Sequence, residues 1–136
     1  MKNLFVGVWI LNVQQSEFDG NHRPRAGTMV VELDAEGYYL QTAEGINEKG
    51  EKGKERPMRF IPDSKPHPIP DFPGLKYVVT QPDANTMIGE VTREDGSVVG
   101  GSTTVVSADG KSKTVENFGY DTQFRQFKLR TVWERQ

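Results

Sequence analysis

The sequence predicts an all-β domain, an antiparallel up-and-down β-barrel of about 8–10 strands. Short segments alternate apolar and polar residues, as half-buried strands do, and from residue 75 onward a tight-turn sequence joins each segment to the next. No segment has the period and the length of a helix. The first and last segments are both apolar and aromatic, as two strands paired at a barrel seam need to be. A two-layer sandwich, the alternative, needs crossing connections for which these turns leave almost no room.

Length and composition set the outer limits of the prediction. The 136 residues fit one domain, residues 1–136, with a single core. A net charge of −2 argues against nucleic acid or an anionic membrane as a partner. The lack of cysteine excludes disulfides and thiolate chemistry, and no apolar run is long enough to span a bilayer. No cleavage site follows the apolar run at residues 4–11, so we expect a cytoplasmic protein by default, unless the chain begins at a mature terminus.

Residues 5–13, FVGVWILNV, are predicted to form the first strand. They contain one Asn and no charge, so neither face of the strand can meet much water. One apolar set points into the barrel, and a second set remains outside, made of Val6, Val8 and Ile10. That outer set needs a cover, which the last strand, the connection at residues 14–27 or a second copy of the chain would supply. A homodimer is therefore one expected assembly.

The first half of the chain is less regular than the second. Residues 14–27 carry Gly and Pro at short intervals and predict a loop or extended crossover. Residues 28–33 and 38–43 predict two strands around a turn at 34–37. The charged, glycine-containing residues 44–55 predict a mobile connection.

A proline-rich segment divides the two halves. Residues 56–61 predict a short edge strand, because Pro57 cannot donate to a ladder. Residues 62–74 contain five prolines and predict a stiff extended loop outside the sheet. The remaining strands are predicted at residues 75–81, 86–93, 98–107, 112–120 and 124–135.

Two short motifs carry a family resemblance. Gly7-Val8-Trp9 matches the Gly-x-Trp of the lipocalin and fatty-acid-binding protein (calycin) superfamily, and FVGVWIL…SEFD resembles the opening of intracellular fatty-acid-binding proteins. The ending TVWER is similar to their closing Arg-x-Tyr-Glu-Lys/Arg. Over nearly the whole chain the sequence resembles a family of lipocalin-like proteins from soil bacteria, through GVWILN, SADGKSKTV and VWERQ. The resemblance implies a lipocalin-like barrel that binds a small hydrophobic molecule.

The resemblance also has two departures. Fatty-acid-binding proteins place a helix-turn-helix lid between their first two strands, which residues 14–27 are too broken to form. Their last-strand Arg-x-Tyr grips the ligand carboxylate, but Thr131 and Trp133 stand at those positions here. A fatty acid is therefore disfavoured as the ligand.

In this superfamily the Gly-x-Trp indole closes one end of the barrel beneath an arginine, which implies a structural role for Trp9. Strand parity selects Arg135, or Arg125, as the partner inside and places Arg130 outside. A cation over an indole is worth roughly 0.5–2 kcal/mol. The expected closure set is Gly7, Trp9, Trp133 and Arg135.

The remaining inward faces predict either a packed core or a cavity. The inward apolar residues by parity are Met29, Val31, Leu33, Met58, Phe60, Tyr77, Val79, Met87, Val91, Phe118 and Tyr120. A barrel of about eight strands can be filled by its own side chains or can hold one small ligand. Small residues favour a cavity, although glycine can also mark a bulge; they are Gly89, Gly100, Gly101, Thr103 and Gly119.

The predicted function is noncovalent binding of a small apolar or amphipathic molecule in the barrel, without a cofactor. The alternative is a filled, self-associating barrel that serves as a structural or protein-interaction domain. The expected ligand contacts are Tyr39, Phe60, Tyr77, Met87, Phe118 and Tyr120. Of these, Tyr39 or Tyr120 would be polar handles, and residues 62–74 would form one rim of the entrance.

Catalytic and metal signals are weak. His22 and His67 lie in loops, where exposed surface is expected, and a metal would need further ligands, for which Asp63 and Asp71 are the candidates beside His67. Haem ligation by either histidine is equally disfavoured. No pair of carboxylates stands out, since residues such as Glu32 and Glu90 are expected to be solvated. Without a Gly-x-Ser-x-Gly elbow or a glycine-rich loop opening a helix, we expect no enzyme.

Overall fold

A computed structural model describes residues 3–18, 23–70, 72–120 and 125–136. These residues form an antiparallel up-and-down β-barrel, and the part of the chain described contains no helix. Eleven strands are present: β1 (Gly7–Glu17), β2 (Ala26–Leu33), β3 (Tyr39–Ile46), β4 (Lys52–Lys54), β5 (Met58–Phe60), β6 (His67–Pro68), β7 (Leu75–Asp83), β8 (Thr86–Arg93), β9 (Val98–Val106), β10 (Ser112–Tyr120) and β11 (Gln126–Arg135). The count exceeds the expected one because two short strands, β4 and β6, were not predicted.

The chain closes through its first and last strands. The hydrogen-bonded order is β4-β3-β2-β1-β11-β10-β9-β8-β7-β6, with β5 added to β3. In the seam between β1 and β11, Trp9 lies opposite Arg135 and Leu11 lies opposite Trp133. The predicted pairing of the two apolar terminal strands is therefore confirmed. The two edges of the sheet are formed by strands from the middle of the chain, β4 and β5 at one edge and β6 at the other. Residues 61–66 connect β5 to β6.

The first predicted connection is shorter than residues 14–27. After an irregularity in the ladder, β1 continues along β11 as far as Glu17, which lies opposite Arg130. The Ser16 hydroxyl accepts a hydrogen bond from the Val132 amide, so polar side chains hold this part of the strand. Only residues 18–25 remain between β1 and β2, too few for a helix-turn-helix. His22 lies outside the described residues.

The prediction of a mobile connection at residues 44–55 is wrong. β3 runs to Ile46, and Lys52–Lys54 pairs back with it as β4. The Asn47 side chain makes this hairpin tight, because its Oδ1 accepts hydrogen bonds from the amides of Lys49 and Glu51. Gly50, at φ 83°, adopts the left-handed conformation that the turn requires.

The proline-rich segment, residues 62–74, also contributes to the sheet. His67 and Pro68 pair with Tyr77 and Lys76 of β7, so the expectation that no part of the segment joins the sheet is wrong. The proline is tolerated because β6 is an edge strand, so the amides on one side of it have no neighbouring strand to pair with. β5, within the predicted strand at 56–61, pairs with β3 alone and is an edge strand, as predicted.

The predicted outer apolar set of the first strand is reduced, because Val6 precedes β1 and packs against the core. β11 pairs with the edge of β1 and does not cover its outer face, and Ile10 remains 40% exposed. Association of two copies through this face stays a prediction. Within the described residues, no helix is long and apolar enough to cross a membrane.

The buried core gathers at the end of the barrel where Trp9 lies. Trp9 is fully buried, and its indole nitrogen donates to the Phe5 carbonyl over 3.1 Å. The Arg135 guanidinium lies 4.3 Å from the centre of the indole ring. It also donates to the carbonyl oxygens of Leu4 and Val6, each over 2.6 Å, and of Gly110 over 2.7 Å. This cation thus satisfies three carbonyl groups while it packs against the ring.

Gly7 is part of the same arrangement. A Cβ at this position would collide with Nη1 of Arg135, and the backbone has φ 148°. A side chain at position 7 would therefore displace the guanidinium from the carbonyls it satisfies. On the outer face, Arg130 lies 4.0 Å from a carboxylate oxygen of Glu116.

Candidate ligand-binding cavity

The interior of the barrel contains a cavity of about 970 Å³. It extends from Phe5 and Lys113, beside the closed end, to Phe18, Pro24 and Lys49 at the opposite end. The size lies within the range of small-molecule sites in proteins. The described side chains therefore leave the barrel hollow, which a filled-barrel domain would not be.

Four of the expected ligand contacts line this cavity from inward strand positions: Tyr39, Phe60, Tyr77 and Met87. Tyr39 and Phe60 are stacked, with ring centroids 5.5 Å apart, and Phe5 meets Tyr39 edge to face at 6.3 Å. The Tyr39 hydroxyl already accepts a hydrogen bond from Nδ2 of Asn3 over 2.7 Å. One acceptor position of this hydroxyl is therefore already used, so it is a weaker polar handle than expected.

The expected parity of Phe118 and Tyr120 is wrong. Phe118 and Tyr120 of β10 lie opposite Lys128 and Gln126 of β11. They are on the same face of β10 as Glu116, which is the outer face. The inward residues of β10 are the alternate set, Lys113, Val115, Asn117 and Gly119. The error arises because β10 carries apolar residues on both faces, so its pattern does not distinguish inside from outside. Phe118 and Tyr120 still border the cavity, but Tyr120 is 53% exposed.

The small residues have two different roles. Gly89, Gly100 and Gly119 border the cavity from inward positions, which leaves space where larger side chains would fill it. Gly101 lies on the outer face beneath the Phe118 ring, and a Cβ there would come within 2.7 Å of that ring. Thr103 also lies outside, opposite Glu116. Leu33 does not reach the cavity and is 44% exposed at the end of β2.

Lys113 is the residue that the sequence reasoning missed. It is an inward residue of β10, only 3% exposed, and it borders the cavity. Its Nζ lies 4.6 Å from the centre of the Trp9 ring and 3.0 Å from the Met29 sulfur. Burial and, as the smaller cause, the positive charge of Arg135 together lower the pKa of this amine to about 7. The signal that could have revealed it is a lysine in the same alternating set as Val115 and Gly119.

Thr131 and Trp133 occupy the positions that would carry Arg and Tyr in fatty-acid-binding proteins. Both side chains are uncharged and are hydrogen-bonded to each other. The indole nitrogen of Trp133 donates to the Thr131 hydroxyl over 2.9 Å. That hydroxyl lies 3.4 Å from the Val115 carbonyl. The basic side chain at the inner end of the cavity is therefore Lys113, on the neighbouring strand.

The proline-rich segment lies at the sheet edge through β6, and Asp63 anchors it. None of its described residues borders the cavity, so they do not form the rim that was predicted. Nε2 of His67 lies 2.9 and 3.0 Å from the two oxygens of Asp63, and the imidazole stacks on Tyr77 at 5.2 Å. His67 is thus partly buried and not the exposed surface residue that was expected. Asp71 lies outside the described residues. Among the described residues, those around His67 included, no group of three His, Cys, Asp or Glu residues could hold a metal.

Asp63→Asn is expected to loosen this segment without unfolding the barrel. The hydrogen bond from His67, and then that from the Lys65 amide, lower the pKa of Asp63. Since the pKa is lower in the folded state, the carboxylate stabilises the segment above about pH 4, and this contribution is lost as the pH falls through the folded value. The Ser64 amide, which donates to the Val79 carbonyl over 2.9 Å, is the reporter.

The measurement is hydrogen exchange at the Ser64 amide at pH 6, which should be several-fold faster in Asp63→Asn than in the unchanged protein. Asp95→Asn is the matched control, because Asp95 holds a different turn through Ser97. Equal exchange rates at Ser64 in all three proteins would show that Asp63 does not hold the segment.

No family model matches the sequence, and no curated protein sequence matches it either. Solved structures do match over almost the whole chain. The fluorescent protein UnaG has 12% identity and a TM-score of 0.64, with 100% of both chains covered. Zebrafish ileal bile acid-binding protein, complexed with cholic acid, has 11% identity and a TM-score of 0.60, with 98% of this chain and 99% of that chain covered.

As-p18, an extracellular fatty acid binding protein, has 11% identity and a TM-score of 0.53, with 98% of this chain and 97% of that chain covered. At such low identity, these likenesses concern the course of the backbone and not the residues of a site. The chain therefore has the fold of the barrels that include fatty-acid-binding and bile-acid-binding proteins.

Proposed function

We propose that this protein binds a small apolar or amphipathic molecule noncovalently inside its barrel, and that it is a carrier without catalytic activity. The observation that supports this best is the cavity of about 970 Å³ that opens at the end opposite Trp9. Its walls include aromatic and aliphatic side chains from both halves of the sheet. Burying a ligand there would remove apolar surface from water at about 25 cal/mol per Å² before the costs of association.

The contacts proposed for the ligand are the inward residues Tyr39, Phe60, Tyr77 and Met87, with Phe118 and Tyr120 near the open end. Polar side chains interrupt the apolar lining, among them Gln41, Asn117 and Lys113. A purely aliphatic ligand would leave them without partners, so a molecule with one polar end suits the site better.

The fold neighbours and the family resemblance support the same proposal. Two of the fold neighbours are a bile acid-binding protein and a fatty acid binding protein, and a third is a fluorescent protein. The likeness to bacterial lipocalin-like proteins in GVWILN and VWERQ points to a member of that group. The cavity is the main support for this function, because the chain shares only 11–12% sequence identity with the three neighbours.

The cavity is tested by filling it. Gly89→Leu is expected to weaken binding of an environment-sensitive apolar dye by at least about 10-fold, because the added side chain occupies the cavity. A Cβ at Gly89 meets only ordinary contacts, the nearest being the Ser102 hydroxyl at 3.4 Å, so the strand can accept the substitution. Dye titration by fluorescence, with displacement by dodecanol, is the measurement.

Gly53→Leu is the matched control, since a Cβ at Gly53 has no atom within 4 Å and the residue does not border the cavity. Its dye affinity should remain that of the unchanged protein. If the unchanged protein shows no saturable dye uptake, and native mass spectrometry shows no co-purified molecule, the carrier function is wrong.

A further inference from the structure

Lys113 has no role in holding the barrel together that its surroundings explain. A buried lysine is normally paired with a carboxylate or extends its amine to water. Within the described chain, no carboxylate oxygen lies within 4.0 Å of its Nζ, and the hydrogen-bond acceptor at 3.0 Å is the Met29 sulfur. A thioether is a weak acceptor, so it does little to offset the cost of removing an ammonium group from water.

The amine lies at the inner end of the apolar cavity. Lys113 is opposite Val106 on β9 and Trp133 on β11. The centre of the Trp9 ring lies 4.6 Å from its Nζ. Met29 on β2 completes these surroundings. None of these four side chains titrates or competes for the lone pair of an uncharged amine.

Burial changes the chemistry that this amine can perform. It favours the uncharged form, and the pKa of Lys113 is lowered to about 7, first by desolvation and then by Arg135. An uncharged amine is a nucleophile for carbonyl carbon, whereas an ordinary lysine is protonated at neutral pH. An uncharged amine is also a poor partner for a carboxylate, which would need the ammonium form.

We propose that Lys113 is a covalent binding site for apolar aldehydes, whose tail occupies the cavity while their carbonyl reaches the amine. This proposal rests on the proposed function, because the aldehyde must first enter the cavity. The nitrogen lone pair forms the C–N bond as the carbonyl electron pair moves to oxygen, and this oxygen takes up one of the two protons that the nitrogen loses. The resulting carbinolamine loses its hydroxyl group and the second nitrogen proton as water; the C–O bond breaks as the nitrogen lone pair forms the C=N bond of the imine. One amine and one aldehyde give one imine and one water, with no change of oxidation state.

The experiment uses dodecanal with sodium cyanoborohydride, which reduces an imine to a stable secondary amine. Intact mass should show one dodecyl group per chain, and peptide mapping should place it on Lys113. At pH 7 we expect Lys113 to react about 10-fold faster or more than any exposed lysine of the same chain, because more of its amine is uncharged. Its rate should level off above about pH 8, while labelling of the exposed lysines continues to rise.

Three controls connect the adduct to this site. Lys113→Met should leave only slow labelling of exposed lysines. Gly89→Leu, which fills the cavity and keeps the amine, should also lose the fast adduct. Excess dodecanol, which has the same chain and no carbonyl, should slow adduct formation in the unchanged protein.

The two proposals fail in different ways. If dodecanal displaces the dye but the trapped label spreads over exposed lysines and spares Lys113, the aldehyde site is overturned while the carrier function stands. If dodecanal neither displaces a saturably bound dye nor labels Lys113, the aldehyde site is overturned while the carrier function stands. If the dye shows no saturable uptake and no molecule co-purifies, both proposals are overturned.

Discussion

Lys113→Met is expected to raise the free energy of unfolding by about 4 kcal/mol at pH 7. The lysine pays a desolvation cost in the folded state that methionine, with a similar length and no charge, does not. The pKa falls from its ordinary 10.5 to about 7 on folding, and each unit corresponds to about 1.4 kcal/mol. Lys113 is 3% exposed, so solvent screens little of this cost.

The same pKa shift predicts a pH dependence of opposite direction to that of a salt-bridged lysine. Between about pH 7 and 10.5 the unfolded chain binds more protons than the folded chain, so stability rises with pH through this window. From pH 7 to pH 9 the unchanged protein should gain about 2 kcal/mol from this group, and Lys113→Met should gain none of it. The range stops at pH 9 because burial raises the pKa of Tyr77, whose titration affects stability at higher pH.

Urea unfolding at pH 7, 8 and 9 measures both effects. Lys76→Met is the matched control, because Lys76 is an exposed residue of β7 and the substitution is the same. It should change stability by no more than about 0.5 kcal/mol at any of these pH values. A Lys113→Met protein that is less stable than the unchanged one would mean that the amine has a stabilising partner in the folded state.

Trp9→Ala is expected to cost about 3–5 kcal/mol, the usual range for removing a large buried aromatic side chain. Trp9 is fully buried, donates to the Phe5 carbonyl and contacts the Arg135 guanidinium and the Lys113 amine. Its loss would leave a void at the closed end and remove the ring on which the Arg135 guanidinium rests. The midpoint of urea unfolding should fall with an unchanged slope.

Trp9→Phe separates packing from polar contacts, because it keeps an aromatic ring and removes the indole donor. We expect a cost of about 1–2 kcal/mol, from one lost hydrogen bond and a weaker cation–π contact. Combining Trp9→Ala, which removes the ring, with Arg135→Met in a double-mutant cycle measures the coupling between ring and guanidinium, expected at about 0.5–2 kcal/mol. A Trp9→Ala protein destabilised by less than 1 kcal/mol would show that Trp9 does not hold this end closed.

Much of the architecture follows from local sequence rules. Strands β7 to β10 lie within one or two residues of their predicted positions, because Asp, Asn and Gly turn sequences mark their ends. The seam followed from the apolar character of two terminal segments, which need partners on both edges. The errors in the first half, such as the hairpin around Asn47, occur where strands are polar and exposed, so that no alternation reveals them.

The sequence alone determined the class of fold, the order of the strands and the pairing of the first strand with the last, since period-2 patterns and turn residues act over short distances. Only the tertiary structure decided which face of β10 points inward, because Phe118 and Val115 make both faces apolar and register with β9 and β11 settles the choice. The cavity, and the placement of Lys113 within it, likewise depend on how all the strands curve and close, and no single segment encodes that volume.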